Sequence, residues 1–324
     1  MPRKVRIATV CQNYDVVASA DENRDRLLRK AEALVSSRPD LICLPETFTW
    51  PYEGGSLNDL AETIPGPTTE VCADLARRAN AHVICPLFSR DGPRFLNSAV
   101  ILDRRGQIVG AYHKAQPVTS SHDYRTLENG VHPGPADLPV FDLDFGRIGI
   151  QICFDLIFPE TWLQLAAKGA ELVFWPSAYD GGRSLDHMAY QLKCPVISSS
   201  RGHRSRIIDP MGEVIAQTCE SQHTALAMID LDTVVCHLDF HPKIADELRA
   251  TYGDRVSCRA CQEEALLFIQ SNDPDLPVAE LVRLHGLERL DDYRERHRKT
   301  YAALRDGREP EAQDPPYRDR PQHR

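Results

Sequence analysis

The sequence predicts an α/β protein in which a mixed β-sheet is covered by helices. Short apolar, β-branched segments alternate with segments whose apolar residues recur at helical spacing. Tight turns join some neighbouring strands, so part of the sheet is antiparallel and a purely parallel doubly wound sheet is excluded. At 324 residues, the chain is long enough to bury a large core without staples.

The elements follow in order. Arg6 to Cys11 (RIATVC) reads as the opening strand. Ala20 to Ser36 has helical spacing, with Leu27, Leu28, Ala31, Leu34 and Val35 on one face, and Pro39-Asp40 breaks it. Leu41 to Pro45 is a short buried strand. Thr68 to Ala79 is a helix and His82 to Leu87 a strand. Phe95 to Leu102 and Gln107 to Tyr112 flank the turn Asp103-Arg104-Arg105-Gly106 and read as a hairpin. Pro139 to Asp144 and Arg147 to Cys153 are strands around Phe145-Gly146. Pro159 to Lys168 is a helix ended by Gly169. Leu172 to Trp175 is a strand, Ser184 to Leu192 a helix and Val196 to Ser200 a strand. Arg206 to Ile208, Val214 to Ala216 and Ala225 to Asp230 complete the sheet.

After Asp232 the texture changes. Ile244 to Arg249, Cys261 to Gln270, Val278 to Leu284 and Leu287 to Leu304 have helical spacing. Residues 1–232 are therefore expected to form the main domain and 233–305 a helical extension too poor in β-branched residues to add strands. The tail over 306–324 is rich in Pro and charge without apolar periodicity, and is expected to be disordered.

Composition narrows the function. The chain is 42% hydrophobic and 26% charged, ordinary for a globular protein. A net charge of −9 disfavours unspecific binding to nucleic acid or anionic membranes. No apolar run approaches the roughly 18 residues that span a bilayer. The run from Ile7 to Cys11 is too short for a signal-peptide core, so a cytoplasmic location is expected. Most of the 10 cysteines sit in apolar strand-like contexts, as Cys11, Cys43 and Cys85 do, and read as buried small hydrophobes.

Three apolar strands each run out onto one reactive group. Glu46 follows LICLP, Lys114 follows QIVGAYH, and Cys153 closes GIGIQI before a helix that opens near Pro159. Taken singly, Cys153 reads as a buried core cysteine, Glu46 as a base or a helix cap, and Lys114 as a surface charge. Taken together at one sheet edge, a base, a cation and a thiol make a nucleophilic site.

The segments LPETF, GAYHK and CFDLIFPE resemble the three motif regions of the nitrilase superfamily of carbon–nitrogen hydrolases. FDLDFGRIG before the cysteine, GAELV and PSA after it, and the later IDPMG fit the same pattern, in the family's order over about residues 5–232. The resemblance implies a four-layer αββα sandwich and a catalytic triad of Glu46, Lys114 and Cys153. It also implies that Glu128, before the Pro133-Gly134 turn, positions Lys114; the competing reading of Glu128 is a loop carboxylate. The backbone N–H of Phe154 and the Lys114 ammonium would stabilise an oxyanion. The implied activity is hydrolysis of a small amide or N-carbamoyl substrate through a thioester, with no metal or organic cofactor. A nitrilase acting on nitriles and an inactive scaffold are the alternatives within the family. The resemblance further implies a homo-oligomer built on a two-fold dimer, with the extension packed on the dimer or over the pocket rim.

Two positions depart from the family pattern. Gln191 stands where Glu is usual, and Trp162 where many members carry Arg. Arg183, Arg201 and Arg204 could bind a substrate carboxylate, but free surface arginines are the preferred reading. Two other chemistries compete. Cys258 and Cys261 have a zinc-like C-x-x-C spacing with His237 and His241 upstream, though packing is preferred. A cysteine–histidine hydrolase would use His187 or His203 as base.

Overall fold

The computed structural model describes residues 3–51, 55–120, 124–239 and 241–314. In chain order, the first part comprises β1 (Lys4–Val10), α1 (Ala20–Glu32), β2 (Leu41–Cys43), α2 (Leu57–Leu60), α3 (Pro67–Ala79), β3 (His82–Asp91), β4 (Arg94–Leu102) and β5 (Ile108–His113). It continues with β6 (Val140–Leu143), β7 (Gly146–Ile150), α4 (Pro159–Ala167), β8 (Leu172–Ser177), α5 (Gly182–Leu192), β9 (Val196–Ser200), β10 (Arg206–Ile208), β11 (Val214–Gln217) and β12 (Thr224–Asp230).

These strands form two six-stranded sheets, ordered β12-β1-β2-β3-β4-β5 and β11-β10-β9-β8-β7-β6. Each is mixed: in the first, β1, β2 and β3 run parallel, whereas β4 pairs antiparallel with β3 and, in the expected hairpin, with β5; in the second, β7, β8 and β9 run parallel and β6 and β10 antiparallel to their neighbours. The two-residue period of the strands sorts side chains between layers. On β1, Ala8 and Val10 face α1 and α3, packing with Leu27, Ala31, Cys72, Leu75 and Ala76. Thr9 faces the other way, and its hydroxyl donates to the Ser198 carbonyl at 2.6 Å. The Ser199 hydroxyl donates to the carbonyls of Val10 (2.7 Å) and Cys43 (3.0 Å). The serine-rich β9 thus joins the two sheets by polar contacts. Leu165 of α4 covers the outer face of the second sheet at Gly149, where a Cβ would stand 2.8 Å from its side chain. The result is the four-layer αββα order.

Most expected elements are present, with shifted ends. The first helix stops at Glu32, and a separate 3-10 turn spans Val35–Ser37.

The described residues among 1–4 and 230–314 form a separate compact unit. Its described part holds β13 (Thr233–His237), α6 (Ile244–Tyr252), β14 (Val256–Cys261), β15 (Leu266–Ser271), α7 (Val278–Leu284) and α8 (Leu290–Arg305). The helical extension is therefore there, but the expectation that it adds no strands is wrong. β13, β15 and β14 form an antiparallel sheet, and the segment expected as a helix from Cys261 to Gln270 is a hairpin turn plus β15. β15 is central and apolar on both faces, with Leu266, Leu267 and Ile269 all buried, so its side chains do not alternate. A short apolar run of this kind has no periodicity to tell strand from helix. The apolar faces of α6 and α7 bury against this sheet, Leu248 and Leu281 joining Val234, Cys236, Leu267 and Ile269 in one core. Of the expected tail, 306–314 carry no helix or strand beyond a terminal turn, and 315–324 lie outside the described residues.

Candidate active site

The sheet edge assembles the site. Tyr112 ends the buried part of β5, and Lys114, two residues later, shares its face, pointing between the sheets. The Lys114 backbone is held twice: its N–H donates to the Asn97 carbonyl (2.8 Å) and its carbonyl accepts from Gly134 N–H (2.8 Å). Gly134 is required there, because a Cβ would stand 2.2 Å from the His113 carbonyl oxygen. The Lys114 ammonium donates to Glu46 Oε1 at 3.2 Å and to Glu128 Oε1 at 2.6 Å. Glu46 Oε1 also accepts from Asn97 Nδ2 at 2.7 Å. Lys114 and Glu46 are buried, at 1% and 4% exposure.

Cys153 follows β7 and opens a 3-10 turn over Cys153–Ile157. Its φ is +49°, a left-handed conformation that costs a non-glycine residue energy and is held here by the structure around it. Its carbonyl accepts from Trp175 Nε1 at 3.0 Å. Phe154 is the second residue of the turn, so its N–H has no carbonyl of that turn to bond. Asp155 fixes the turn from within. Its carboxylate accepts from Ile152 N–H (2.8 Å), Gln116 N–H (2.8 Å) and the Tyr112 hydroxyl (2.7 Å).

Burial sets the charges. Burial pushes the Cys153 thiol up, and the neighbouring Glu46 carboxylate pushes it further; Lys114 and the Ala178 N–H pull the other way but do not prevail. The resting cysteine is a neutral thiol lying against a carboxyl group. Burial alone would lower the Lys114 ammonium, but Glu46, Cys153 and Glu128 overrule it and hold it above its ordinary value. The site thus holds a fixed cation, two carboxylates and a thiol. That set can move a proton from sulfur to carboxylate and hold a developing oxyanion.

The family model described as Carbon-nitrogen hydrolase matches residues 6–235. The chain belongs to the carbon-nitrogen hydrolase family. It is a C–N hydrolase of the nitrilase superfamily. A protein of Pyrococcus abyssi named Nitrilase is 29% identical over 244 residues, spanning 70% of this chain and 90% of the relative. Omega-amidase NIT2 of Danio rerio is 25% identical over 251 residues, 70% of this chain and 89% of the relative. The crystal structure of Nit3 from Saccharomyces cerevisiae, a member of branch 10 of the nitrilase superfamily, superposes with a TM-score of 0.61 over 77% of this chain and 94% of its own, at 20% identity. At that identity it shows the fold.

Within this family fold the four expected side chains Glu46, Lys114, Glu128 and Cys153 lie together. Three contributors escaped the sequence reading. Asn97 sits in strand text with no spacing that marks it, Asp155 lies within the CFDLIFPE segment where no spacing assigns it a role, and the Ala178 N–H is a backbone group. Arg201 differs from expectation: it is buried, not a surface arginine, and donates to Thr47 Oγ1 (3.3 Å) and the Trp50 carbonyl (3.0 Å). It grips the segment that follows Glu46. Arg183 and Arg204 are exposed, as are His187 and His203, whereas Cys153 is buried. Arg204 and His203 line a separate cavity of about 910 Å³ that includes none of the four residues. Trp162 is fully buried, its Nε1 donating to the Asp155 carbonyl at 3.0 Å, so it serves as a core brace for the turn. Gln191 is exposed. Cys258 and Cys261 stand three residues apart on β14, which turns their side chains to opposite faces and away from a shared metal. No group of three or more potential ligands that could hold a metal ion occurs among the described residues.

Proposed function

We propose that this carbon–nitrogen hydrolase cleaves a small, non-peptide amide or N-carbamoyl substrate through a thioester acyl-enzyme on Cys153. The observation that carries the reading is the Lys114 ammonium bridging Glu46 Oε1 and Glu128 Oε1, beside a buried thiol. Glu46 takes the thiol proton as sulfur attacks the carbonyl carbon. Lys114 and the Phe154 N–H stabilise the tetrahedral oxyanion, each such donor lowering the barrier by on the order of 3 kcal/mol. Glu46 then protonates the departing nitrogen and the C–N bond breaks, leaving the thioester. A water, deprotonated by Glu46, attacks the thioester and releases the acid and the thiol. Glu128 positions Lys114. The name of the omega-amidase relative favours the amide over the nitrile. A nitrilase activity is the second reading, favoured by the name of the Pyrococcus relative.

The protein is further proposed to be a cytoplasmic homo-oligomer. Ile157 and Leu163, 55% and 50% exposed on the turn and helix after Cys153, offer an apolar surface for a second copy. No helix among the described residues is long and apolar enough to cross a membrane.

Ammonia release from a panel of aliphatic amides, N-carbamoyl amino acids and nitriles tests the reading. Turnover of amides or carbamoyl compounds is expected. Turnover of nitriles alone would select the second reading, and no turnover of any class would overturn both.

A further inference from the structure

We propose that Asn97 is a positioning residue that aims the general base Glu46 at the Cys153 thiol. The inference rests on the assignment of Glu46 as the base and adds the group that controls it.

Asn97 lies on β4, with its side chain on the face that looks between the sheets, and is 3% exposed. It acts at two points. Its carbonyl accepts from Lys114 N–H at 2.8 Å, which carries the β4–β5 ladder one residue past the end of β5. Its Nδ2 donates to Glu46 Oε1 at 2.7 Å. One asparagine therefore fixes the backbone under the cation and the side chain of the base. The amide can be oriented only one way, because an ionised carboxylate accepts and never donates. Asn97 and Lys114 both hold Oε1, which leaves Oε2 for the proton from sulfur. Oε2 is buried and has no partner in hydrogen-bonding geometry among the described residues; the same holds for Asn97 Oδ1.

The charged and titratable groups around Glu46 are Lys114 from the end of β5, Cys153 from the 3-10 turn, Tyr179 from the loop after β8, and Glu128 through Lys114. Asn97 is the neutral donor in this ring. A hydrogen bond donated to a carboxylate favours its charged form, so removing Asn97 should move the pH profile of Cys153 reactivity to higher pH.

The test is the pH dependence of alkylation of Cys153 by iodoacetamide, followed by the mass of the peptide that contains it. This readout needs no knowledge of the natural substrate. Unfolded Cys153 is alkylated too, with the pH profile of a free thiol, so the rate is followed on protein that circular dichroism shows to be folded at each pH. In Asn97→Ala the acid-side midpoint should rise by about one pH unit, a tenfold change in proton concentration. In the isosteric Asn97→Asp it should rise at least as far, because a second carboxylate then faces Glu46. Glu46→Gln should remove the acid-side transition. If it does, and both Asn97 variants stay within about 0.2 pH unit of the parent, the role of Asn97 is overturned while Glu46 stands as the base. If Glu46→Gln keeps the parent's transition, the base assignment and the role of Asn97 both fall.

Discussion

The Tyr112 hydroxyl donates to Asp155 Oδ2 at 2.7 Å and so joins the strand that carries Lys114 to the turn that carries Cys153. Tyr112 is fully buried and lies two residues from Lys114; Asp155 lies two residues from Cys153. The contact spans the two sheets at the depth of the site, and it locks the distance between cation and nucleophile.

Asp155→Asn should therefore loosen the site as well as the fold. Asparagine offers one acceptor oxygen to three donors and sets its own N–H₂ against at least one of them. A loss of about 1–3 kcal/mol at neutral pH is expected. Burial pushes the Asp155 carboxyl up to about 6, from an ordinary value of 3.8, against the pull of its three donors. A raised folded value means that the native state binds the proton more tightly than the unfolded chain. The stability from the neutral form is complete below about pH 4 and is lost as the pH rises through about 6. Asparagine has no such transition, so the gap in thermal stability between parent and variant should widen from pH 7 to pH 5. A gap that stays constant would mean that Asp155 is already ionised throughout that range.

Cys153→Ala should lower turnover at least about 10³-fold, because no other thiol sits beside the Glu46–Lys114 pair. The melting temperature should change little, since only one sulfur is removed from a polar-lined position. Residual turnover above a few per cent of the parent, in a preparation free of it, would remove Cys153 from the mechanism.

Glu128→Gln should lower the rate about 10²-fold or more by releasing the Lys114 ammonium from its shorter contact. Alkylation of Cys153 by iodoacetamide should persist, because Glu46 still faces the thiol. An unchanged rate on the best substrate of the panel would leave Glu128 as a loop carboxylate.

Gly134→Ala should disturb Lys114 from the other side. The added Cβ meets the His113 carbonyl at 2.2 Å, so the backbone must shift and the Gly134 N–H bond to the Lys114 carbonyl is strained. Overpacking of this kind costs about 1–3 kcal/mol. Activity should fall by more than the loss of folded protein, which circular dichroism and titration of Cys153 can measure side by side. Activity in proportion to folded protein would show that Lys114 keeps its place.

The sequence by itself determined the alternation of strands and helices, the hairpin from Phe95 to Tyr112, and the strand ends that bear Glu46, Lys114 and Cys153. These are local properties: periodicity, turn chemistry and three short motifs in a recognisable order. The tertiary structure decided the rest. β15 is a strand because it lies at the centre of a sheet, a neighbourhood that its run of apolar residues does not encode. Arg201 is buried because two distant segments meet over it, although its local text reads as a surface loop. Cys258 and Cys261 are separated by the two-fold alternation of a strand that sequence spacing read as the start of a helix. Asn97 carries no motif signal, and Asp155 lies inside the CFDLIFPE segment without any spacing that assigns it a role. Each makes a contact with a residue at least 43 positions away, Asn97 with Glu46 and Asp155 with Tyr112. Such contacts exist only once the sheets have stacked, because a hydrogen bond to a buried carboxylate depends on where the chain returns in space and not on which residue comes next.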